Sequence, residues 1–315
     1  HLDATERHEG LVAAIAFESL VKLVAFLAAG VFVAYGIYGG LGNLFAQAQN
    51  LPALKDVFTF GTEPGDYFGW SLHVVLSMTA VLFLPRQFQV TVVENVNEDH
   101  LKVAIWLFPL YLLAINIFVL PIAFGGVMQF VSGVDVDTFV LTLPMVKGQA
   151  ALSLLVFVGG MSAATGMVIV ETIALSTMIC NDLVMPVLLR LPFNSIARRQ
   201  DLSFVVLMVR RSAIVLVLLL AYAYFHFIGE VYSLVSIGLI SFAAVAQFAP
   251  AILCGIFWKR ATRAGAMSGL AAGFLTWAYT LVMPTLERVG ILHEHLVTDG
   301  PFGWSLLNPY TLFGL

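Results

Sequence analysis

Charged residues are scarce in this sequence. Only 11% of its 315 residues are Asp, Glu, Lys or Arg, and 60% are hydrophobic, against about 25% and about 45–50% in ordinary soluble domains. The net charge of −4 is spread over the polar segments and forms no basic stretch, so we expect no nucleic-acid partner. The composition argues against an ordinary soluble domain and predicts a membrane protein.

Other features are missing as well. No signal peptide is visible, since the first ten residues are polar. No glycine-rich nucleotide loop or phosphoacceptor region occurs, so these residues supply no enzyme chemistry. The segment 264–284 contains no lysine, which excludes a retinal protein with its Schiff base there. The two cysteines, Cys180 and Cys254, fall at predicted inner helix ends and are expected to be reduced thiols.

Seven apolar segments are long enough to cross a bilayer, whose hydrocarbon is spanned by about 20 apolar residues. They lie at 11–38, 67–84, 103–127, 149–181, 206–228, 232–257 and 264–284. The sequence therefore predicts an all-α polytopic membrane helix bundle with about seven transmembrane helices.

Basic residues are distributed unevenly between the two sides of these segments. With a cytoplasmic N-terminus, the outer segments hold only Lys55, Lys147 and Arg288, and Lys22 lies within a span. The inner segments hold the other eleven of the fifteen Lys and Arg residues: Arg7, Arg86, Lys102, Arg190, Arg198, Arg199, Arg210, Arg211, Lys259, Arg260 and Arg263. The positive-inside rule predicts that the N-terminus of this chain is cytoplasmic and its C-terminus outside.

Prolines interrupt two of the apolar segments next to an amide side chain. Asn116 lies between Pro109 and Pro121, and Gln247 lies three residues before Pro250. Each proline removes a backbone donor, and such breaks survive in a membrane where they line a cavity or are satisfied by neighbours. Asn116 is therefore a candidate for the solute or ion pathway. Gln247 either bonds the carbonyls that Pro250 releases or contacts the solute directly.

Hydroxyl side chains form a stripe on the fourth span. Ser162, Thr165, Thr172 and Ser176 fall within an arc of about 80° on a helix with 100° per residue. These hydroxyls either bond carbonyls of their own helix and neighbouring helices or line a cavity. Ser77 on the second span is a further pathway candidate.

One pair of opposite charges lies inside the first span. Glu18 and Lys22 are four residues apart, which places them on one helix face with the acid first, the favourable orientation. Isolated charges are costly in lipid, so we predict an intramembrane ion pair that faces the protein. The pair either lets the helix insert or takes part in proton or solute coupling.

Two outer segments carry weaker signals. Residues 39–66 have apolar side chains at helical spacing and a break at Pro52, which predicts a helix that lies partly in the membrane interface. The loop after the third span contains Asp135 and Asp137. Two carboxylates do not fill the shell of six to eight oxygens that calcium takes, so a solvated loop is expected.

Several long stretches carry a family resemblance. They are FLPRQFQVTVVEN at 83–95, AIWLFPLYLLAINIFVLPIA at 104–123, IGLISFAAVAQFAPAILCGIFWKRATRAGAMSGLAAGF at 237–274 and WSLLNPYTLFGL at 304–315. Together they resemble the sodium:solute symporter family, and more narrowly the symporter-like N-terminal domain of bacterial sensor histidine kinases. The resemblance covers nearly the whole chain.

The resemblance implies a fold of two inverted five-helix repeats. Residues 1–315 would form a single transporter-like domain, a fragment with the last helix of the first repeat followed by the second repeat, without upstream helices and a downstream region. The implied function is secondary transport or binding of a small polar solute such as an amino acid, in the bacterial inner membrane. The alternative is a solute-sensing input domain, with kinase domains downstream in the same polypeptide that would make the full-length parent a sensor histidine kinase.

The resemblance also implies a coupling ion, Na⁺ or H⁺, and no other cofactor. In the family, the helix that corresponds to the fourth span supplies adjacent Ser or Thr hydroxyls to a sodium site. The matching segment 161–163 has Ser162 but Ala163 at the second position, and an alignment anchored on the trailing CNDL places Gly166 and Met167 there. Ser162 and Thr165 are the residues that could hold sodium, and the departure at Ala163 predicts weak sodium dependence.

Overall fold

The computed structural model describes residues 9–59, 66–130, 133–190, 203–229 and 233–288. Nearly all of these residues are helical, and no β-strand occurs among them, which confirms the predicted all-α class. Arg7, Arg198 and Arg199, three of the arginines assigned to the inner side, lie outside these ranges.

The helices follow one another with short connections. In the described part of the chain the α-helices are α1 (Glu9–Val31), α2 (Leu41–Gln49), α3 (Asp66–Phe83), α4 (Pro85–Phe88), α5 (Asp99–Asn116), α6 (Val119–Gln129), α7 (Phe139–Val146), α8 (Ala150–Met178), α9 (Met185–Arg190), α10 (Ser203–Ile228), α11 (Leu234–Ala246), α12 (Phe248–Phe257), α13 (Arg263–Trp277) and α14 (Met283–Arg288). Wider π-helical turns continue four of them at Phe32–Ile37, Gln89–Val93, Ile179–Val184 and Ala278–Val282, and 3₁₀ turns occupy Pro52–Phe58 and Val136–Thr138.

Among the described residues, six helical segments are long and apolar enough to cross a membrane. They are Val12–Ile37, Asp99–Gln129, Ala150–Leu188, Ser203–Phe227, Leu234–Phe257 and Arg263–Glu287. A seventh segment is broken, since Tyr67–Phe83 and Pro85–Val93 meet at an angle of 47°. Pro85 begins the second half, where its missing N–H costs no hydrogen bond. These segments match the predicted spans, and the chain is an all-α polytopic membrane protein.

The chain divides into two compact units, each described here by itself. The first comprises His1–Tyr67 with Gln89–Arg211, and the second comprises Phe68–Phe88 with Ser212–Leu315. In the first unit α1 packs along α8, and α5, α6 and α7 also contact α1. In the second unit α13 contacts α11 and α12.

Small residues bring α1 and α8 together. Ala25 of α1 is buried, and a Cβ added at Gly159 of α8 would overlap its methyl group. A Cβ at Gly30 would likewise overlap Phe118, which follows α5. Because no hydrophobic effect drives helices together in lipid, close backbone approach through such residues is what holds membrane helices in contact.

The segment α2 packs on protein rather than only on the membrane surface. It is helical, as its spacing predicted, and the chain turns at Pro52. Leu44 and Ala48 are fully buried in the core cluster of the first unit, and α2 contacts α6. Phe45 stacks edge-on against Phe124 of α6, with ring centroids 5.7 Å apart. The apolar face of α2 therefore covers α6.

The loop after the third span is more ordered than expected. The Asp135 carboxylate accepts a hydrogen bond from the backbone N–H of Asp137 at 3.0 Å and so begins a 3₁₀ turn, while both acids stay exposed. The apolar run that follows forms α7, in which Phe139 and Leu143 are buried. The eight residues of α7 are too few to cross a bilayer by themselves.

Candidate functional site

A cleft of about 380 Å³ opens in the first unit between α1, α5, α6, α7 and α8. Its polar lining residues are Lys22 of α1 and Asn116 of α5. The rest of the lining is apolar or glycine: Ala25, Phe26, Ile115, Val119, Val140, Val156, Gly159, Gly160 and Ala163. A volume of this size with a few polar groups in apolar walls is typical of small-molecule sites.

The cleft lies near the middle of the membrane spans. Lys22 is close to the centre of Val12–Ile37, and Asn116 is close to the centre of Asp99–Gln129. Gly160 lies in the outer half of the span Ala150–Leu188 if the N-terminus is cytoplasmic. The two polar groups of the lining therefore sit at a depth where water is scarce and unpaired polar groups are costly.

A helix break forms one wall of the cleft. α5 ends at Asn116 and α6 begins at Val119, which confirms the predicted interruption. Pro121 lies in the first turn of α6, where a missing N–H is tolerated, whereas Pro109 lies inside α5 without ending it. The Asn116 Nδ2 donates to the carbonyl of Leu112 at 2.7 Å. Its Oδ1 is left as an acceptor and its second N–H as a donor, because a side-chain amide has one oxygen and two N–H groups.

Lys22 faces an aromatic ring of α5. Its Nζ lies 5.8 Å from the centroid of the Tyr111 ring, within the range of a cation–π contact. The Tyr111 Oη donates to the backbone carbonyl of Ser19 at 3.2 Å, which holds the ring against α1. Lys22 is half-buried.

The predicted ion pair between Glu18 and Lys22 is not formed, which corrects the sequence interpretation. The Glu18 carboxylate lies where a side chain of Gly166 would be, on α8, while Lys22 turns to Tyr111. Among residues 9–59, 66–130, 133–190, 203–229 and 233–288, an ion pair joins Lys102 to Asp99 at 2.8 Å and none joins Glu18 to Lys22. Glu18 contacts α8 and Lys22 contacts α5, and these contacts keep the two side chains apart although their i,i+4 spacing places them on one helix face.

The four hydroxyls of the stripe on α8 all donate hydrogen bonds to backbone carbonyls. Thr165 and Thr172 each donate to the carbonyl four residues earlier at 2.7 Å, and Ser176 donates to the carbonyl three residues earlier at 3.2 Å. Ser162 Oγ donates across the contact to the carbonyl of Glu18 at 3.5 Å. None of the four lines the cleft, to which α8 contributes Val156, Gly159, Gly160 and Ala163 instead.

Ser162 and Thr165 do not make a sodium site by themselves. Ser162 is half-buried at the contact between α1 and α8, whereas Thr165 is exposed. Two hydroxyls supply far fewer oxygens than a hard cation takes. In the described ranges, no group of three or more His, Cys, Asp or Glu side chains could hold a metal ion.

The remaining pathway candidates, Ser77 and Gln247, belong to the second unit. Ser77 is exposed on α3. Gln247 lies between α11 and α12, and its Oε1 would lie 2.9 Å from a Cβ added at Gly273 of α13. The carbonyl that Pro250 leaves without a helical donor is that of Ala246, four residues earlier. In the part of the chain described, the Gln247 amide makes no hydrogen bond to it. Pro250 lies in the first turn of α12, where its missing N–H had no helical partner in any case.

The cleft contains residues that the sequence interpretation did not select. Gly160 and Ala163 are three residues apart and share a helix face, and they line the cleft beside the hydroxyl stripe. Tyr111 became relevant only because α5 packs against α1. Two adjacent small residues, Gly159 and Gly160, are the sequence signal for this open wall: both line the cleft, and Gly159 also contacts Ala25 of α1.

No protein-family model, curated protein or solved structure matches the chain. A function for it therefore depends on the chemistry of the cleft and on the resemblance of its sequence motifs.

Proposed function

We propose that the chain is a membrane domain of the secondary-transporter type that binds a small polar solute, such as an amino acid, in the cleft between α1, α5 and α8. The observation that carries this proposal is a cleft near the middle of the spans Val12–Ile37 and Asp99–Gln129, beside the two-residue turn between α5 and α6 and lined by one ammonium and one amide in apolar walls. Secondary transporters place their solute sites at the midplane next to discontinuous helices.

The cleft has the chemistry that such a site requires. The walls of the cleft are mostly apolar, and a polar contact that a solute makes there away from water is stronger than one at a surface. Lys22 and Asn116 would fix the orientation of the solute. Gly160 leaves the wall open, because a Cβ added there meets no atom within 4 Å.

The proposal includes a place in the cell and a coupling ion. The domain lies in the plasma membrane of a bacterium, with its N-terminus cytoplasmic and its C-terminus outside, following the distribution of basic residues. Transport would be symport with Na⁺ or H⁺. Ser162 is half-buried and Thr165 is exposed, so the two hydroxyls do not share one environment. We therefore favour coupling to protons over coupling to sodium.

Solute sensing is the second candidate, because the motifs at 83–95 and 104–123 resemble the symporter-like domain of sensor histidine kinases. The same cleft would then bind solute and shift a conformational equilibrium without net uptake. The downstream kinase domains would be the partner. Solute binding without translocation, together with a solute-dependent change in phosphorylation, would distinguish sensing from transport.

A glycine pair offers the direct test of the cleft. Gly160→Leu places a side chain into the cleft, whereas Gly269→Leu on α13 is a matched control, since a Cβ at either position meets nothing within 4 Å. Both variants are compared with the wild type for uptake of labelled amino acids and sugars and for binding by the purified protein. We expect Gly160→Leu to abolish both activities and Gly269→Leu to retain them. Equal activity of the two variants would contradict the proposal.

A further inference from the structure

We infer that the cleft selects solutes that carry a carboxylate, and that Lys22 is the group that binds this carboxylate. The inference rests on the proposed function and names the substrate class of the same site. The observation behind it is an ammonium without a carboxylate partner in the wall of a mid-membrane cleft.

The charge of Lys22 is only partly compensated by the protein. The face of Tyr111 attracts the ammonium at 5.8 Å but accepts no conventional hydrogen bond from it, and an ammonium has three N–H donors. Glu18 is the acid closest to Lys22 along the helix, and its carboxylate lies over Gly166. An anion in the cleft would take the donors that the protein leaves unused.

Asn116 narrows the class further. Its Nδ2 donates one N–H to the carbonyl of Leu112, so its second N–H and its Oδ1 remain for a ligand, and an N–H or O–H donor on the ligand would bind the oxygen. The side chains of the other lining residues have no polar atoms, among them Ile115, Val119 and Val140. A small aliphatic amino acid or 2-hydroxy acid combines these three features: a carboxylate, an adjacent donor and a short apolar body.

Matched solutes test the class without any variant. The probes are two series with the same carbon bodies: L-alanine, L-lactate, propionate and L-alaninamide, and L-valine, 2-hydroxyisovalerate, isovalerate and L-valinamide. Binding to the purified full chain is measured by calorimetry and by the shift in melting temperature. We expect at least one amino or hydroxy acid to bind and the amide of the same body to bind at least about tenfold more weakly, because a hydrogen bond between charged groups is lost.

Variants of Lys22 test the residue. Lys22→Met should weaken binding of the acid at least about tenfold and leave the weak binding of the amide unchanged. Lys102→Met is the control, since Lys102 is an exposed lysine paired with Asp99 outside the cleft. Lys22→Arg keeps the positive charge and should retain part of the affinity. It also preserves the test if the methionine variant folds poorly.

Three outcomes separate the failure of this inference from the failure of the proposed function. If the amides bind as tightly as the acids, or if Lys22→Met keeps the affinity for the acid, the carboxylate assignment is overturned. If a neutral sugar binds, and Gly160→Leu but not Gly269→Leu prevents it, the cleft is a solute site and only its assigned class is wrong. If no probe binds and Gly160→Leu has no effect on uptake, both proposals fail.

Discussion

Gly159 of α8 lies so close to Ala25 of α1 that a Cβ at position 159 would overlap the alanine methyl group. Both Gly159 and its neighbour Gly160 line the cleft, but a Cβ at Gly160 would meet nothing within 4 Å. Successive residues on a helix are rotated by about 100°, so the first glycine also closes the contact between the helices, whereas the second borders open space.

Alanine substitutions at these two glycines should therefore differ sharply. Gly159→Ala forces α1 and α8 apart and should lower the free energy of unfolding by about 1–3 kcal/mol, the usual cost of overpacking. Gly160→Ala replaces a poor helix former by a good one, so the free energy of unfolding should stay the same or rise by up to about 1 kcal/mol. Thermal unfolding of the purified protein in detergent measures both, and equal losses would show that the helices are not in contact at Gly159.

Two substitutions separate the ring of Tyr111 from its hydroxyl. Tyr111→Phe keeps the aromatic face under Lys22 and loses the hydrogen bond to the Ser19 carbonyl, so stability should fall by about 0.5–1.5 kcal/mol while solute affinity is kept. Tyr111→Leu also removes the face and should change solute affinity. Calorimetric titration and thermal unfolding of both variants give the comparison. A similar affinity for the two would show that the ring does not position the ammonium.

The cysteines report the orientation of the chain. Cys254 is exposed near the C-terminal end of α12, and Cys180 is buried with its sulfur 4.0 Å from the carbonyl of Val206. A membrane-impermeant maleimide added outside intact cells should label neither thiol. A permeant maleimide should label Cys254 and leave Cys180 unreacted until the protein unfolds. Labelling of Cys254 by the impermeant reagent from outside would reverse the proposed topology.

The hydroxyl stripe and the cleft make different predictions for α8. Thr165→Val removes a hydroxyl that bonds its own helix at Met161 and should leave solute uptake unchanged, with stability altered by less than about 1 kcal/mol. Ala163→Leu should fill the cleft and stop uptake. Replacement of sodium by choline at fixed pH should reduce wild-type uptake only weakly. Loss of uptake in Thr165→Val, or collapse in choline, would instead support a sodium site at the stripe.

The membrane spans and the break after Asn116 could be predicted because both depend on local properties. Apolar length determines whether a segment can cross lipid, and Pro121 fits the first turn of a new helix better than a helix interior, although Pro109 lies inside α5 without ending it. The neighbours of each helix face could not be predicted in this way. The spacing of Glu18 and Lys22 places them on one helix face, yet Glu18 packs over Gly166 of α8 and Lys22 lies over Tyr111 of α5.

The neighbours of the hydroxyl stripe could not be predicted from the sequence either. Its arc on α8 followed correctly from the sequence, but the arc alone did not tell whether it faced a cavity or a helix. Ser162 contacts α1, and the cleft is lined by Gly160 and Ala163, which carry no polar atoms in their side chains. Residues that contribute space rather than chemistry leave little signal in a sequence.

The contact between α1 and α8 also has a mechanical consequence. Ala25 meets Gly159 with no long side chain between the helices, whereas further along the same contact Glu18 lies over Gly166 and Ser162 bonds the Glu18 carbonyl. Lys22 and Gly160 stand on these two helices, and both line the cleft. The Glu18 side chain and the Ser162 hydrogen bond therefore fix the register of α1 against α8, and that register sets the separation of Lys22 from Gly160.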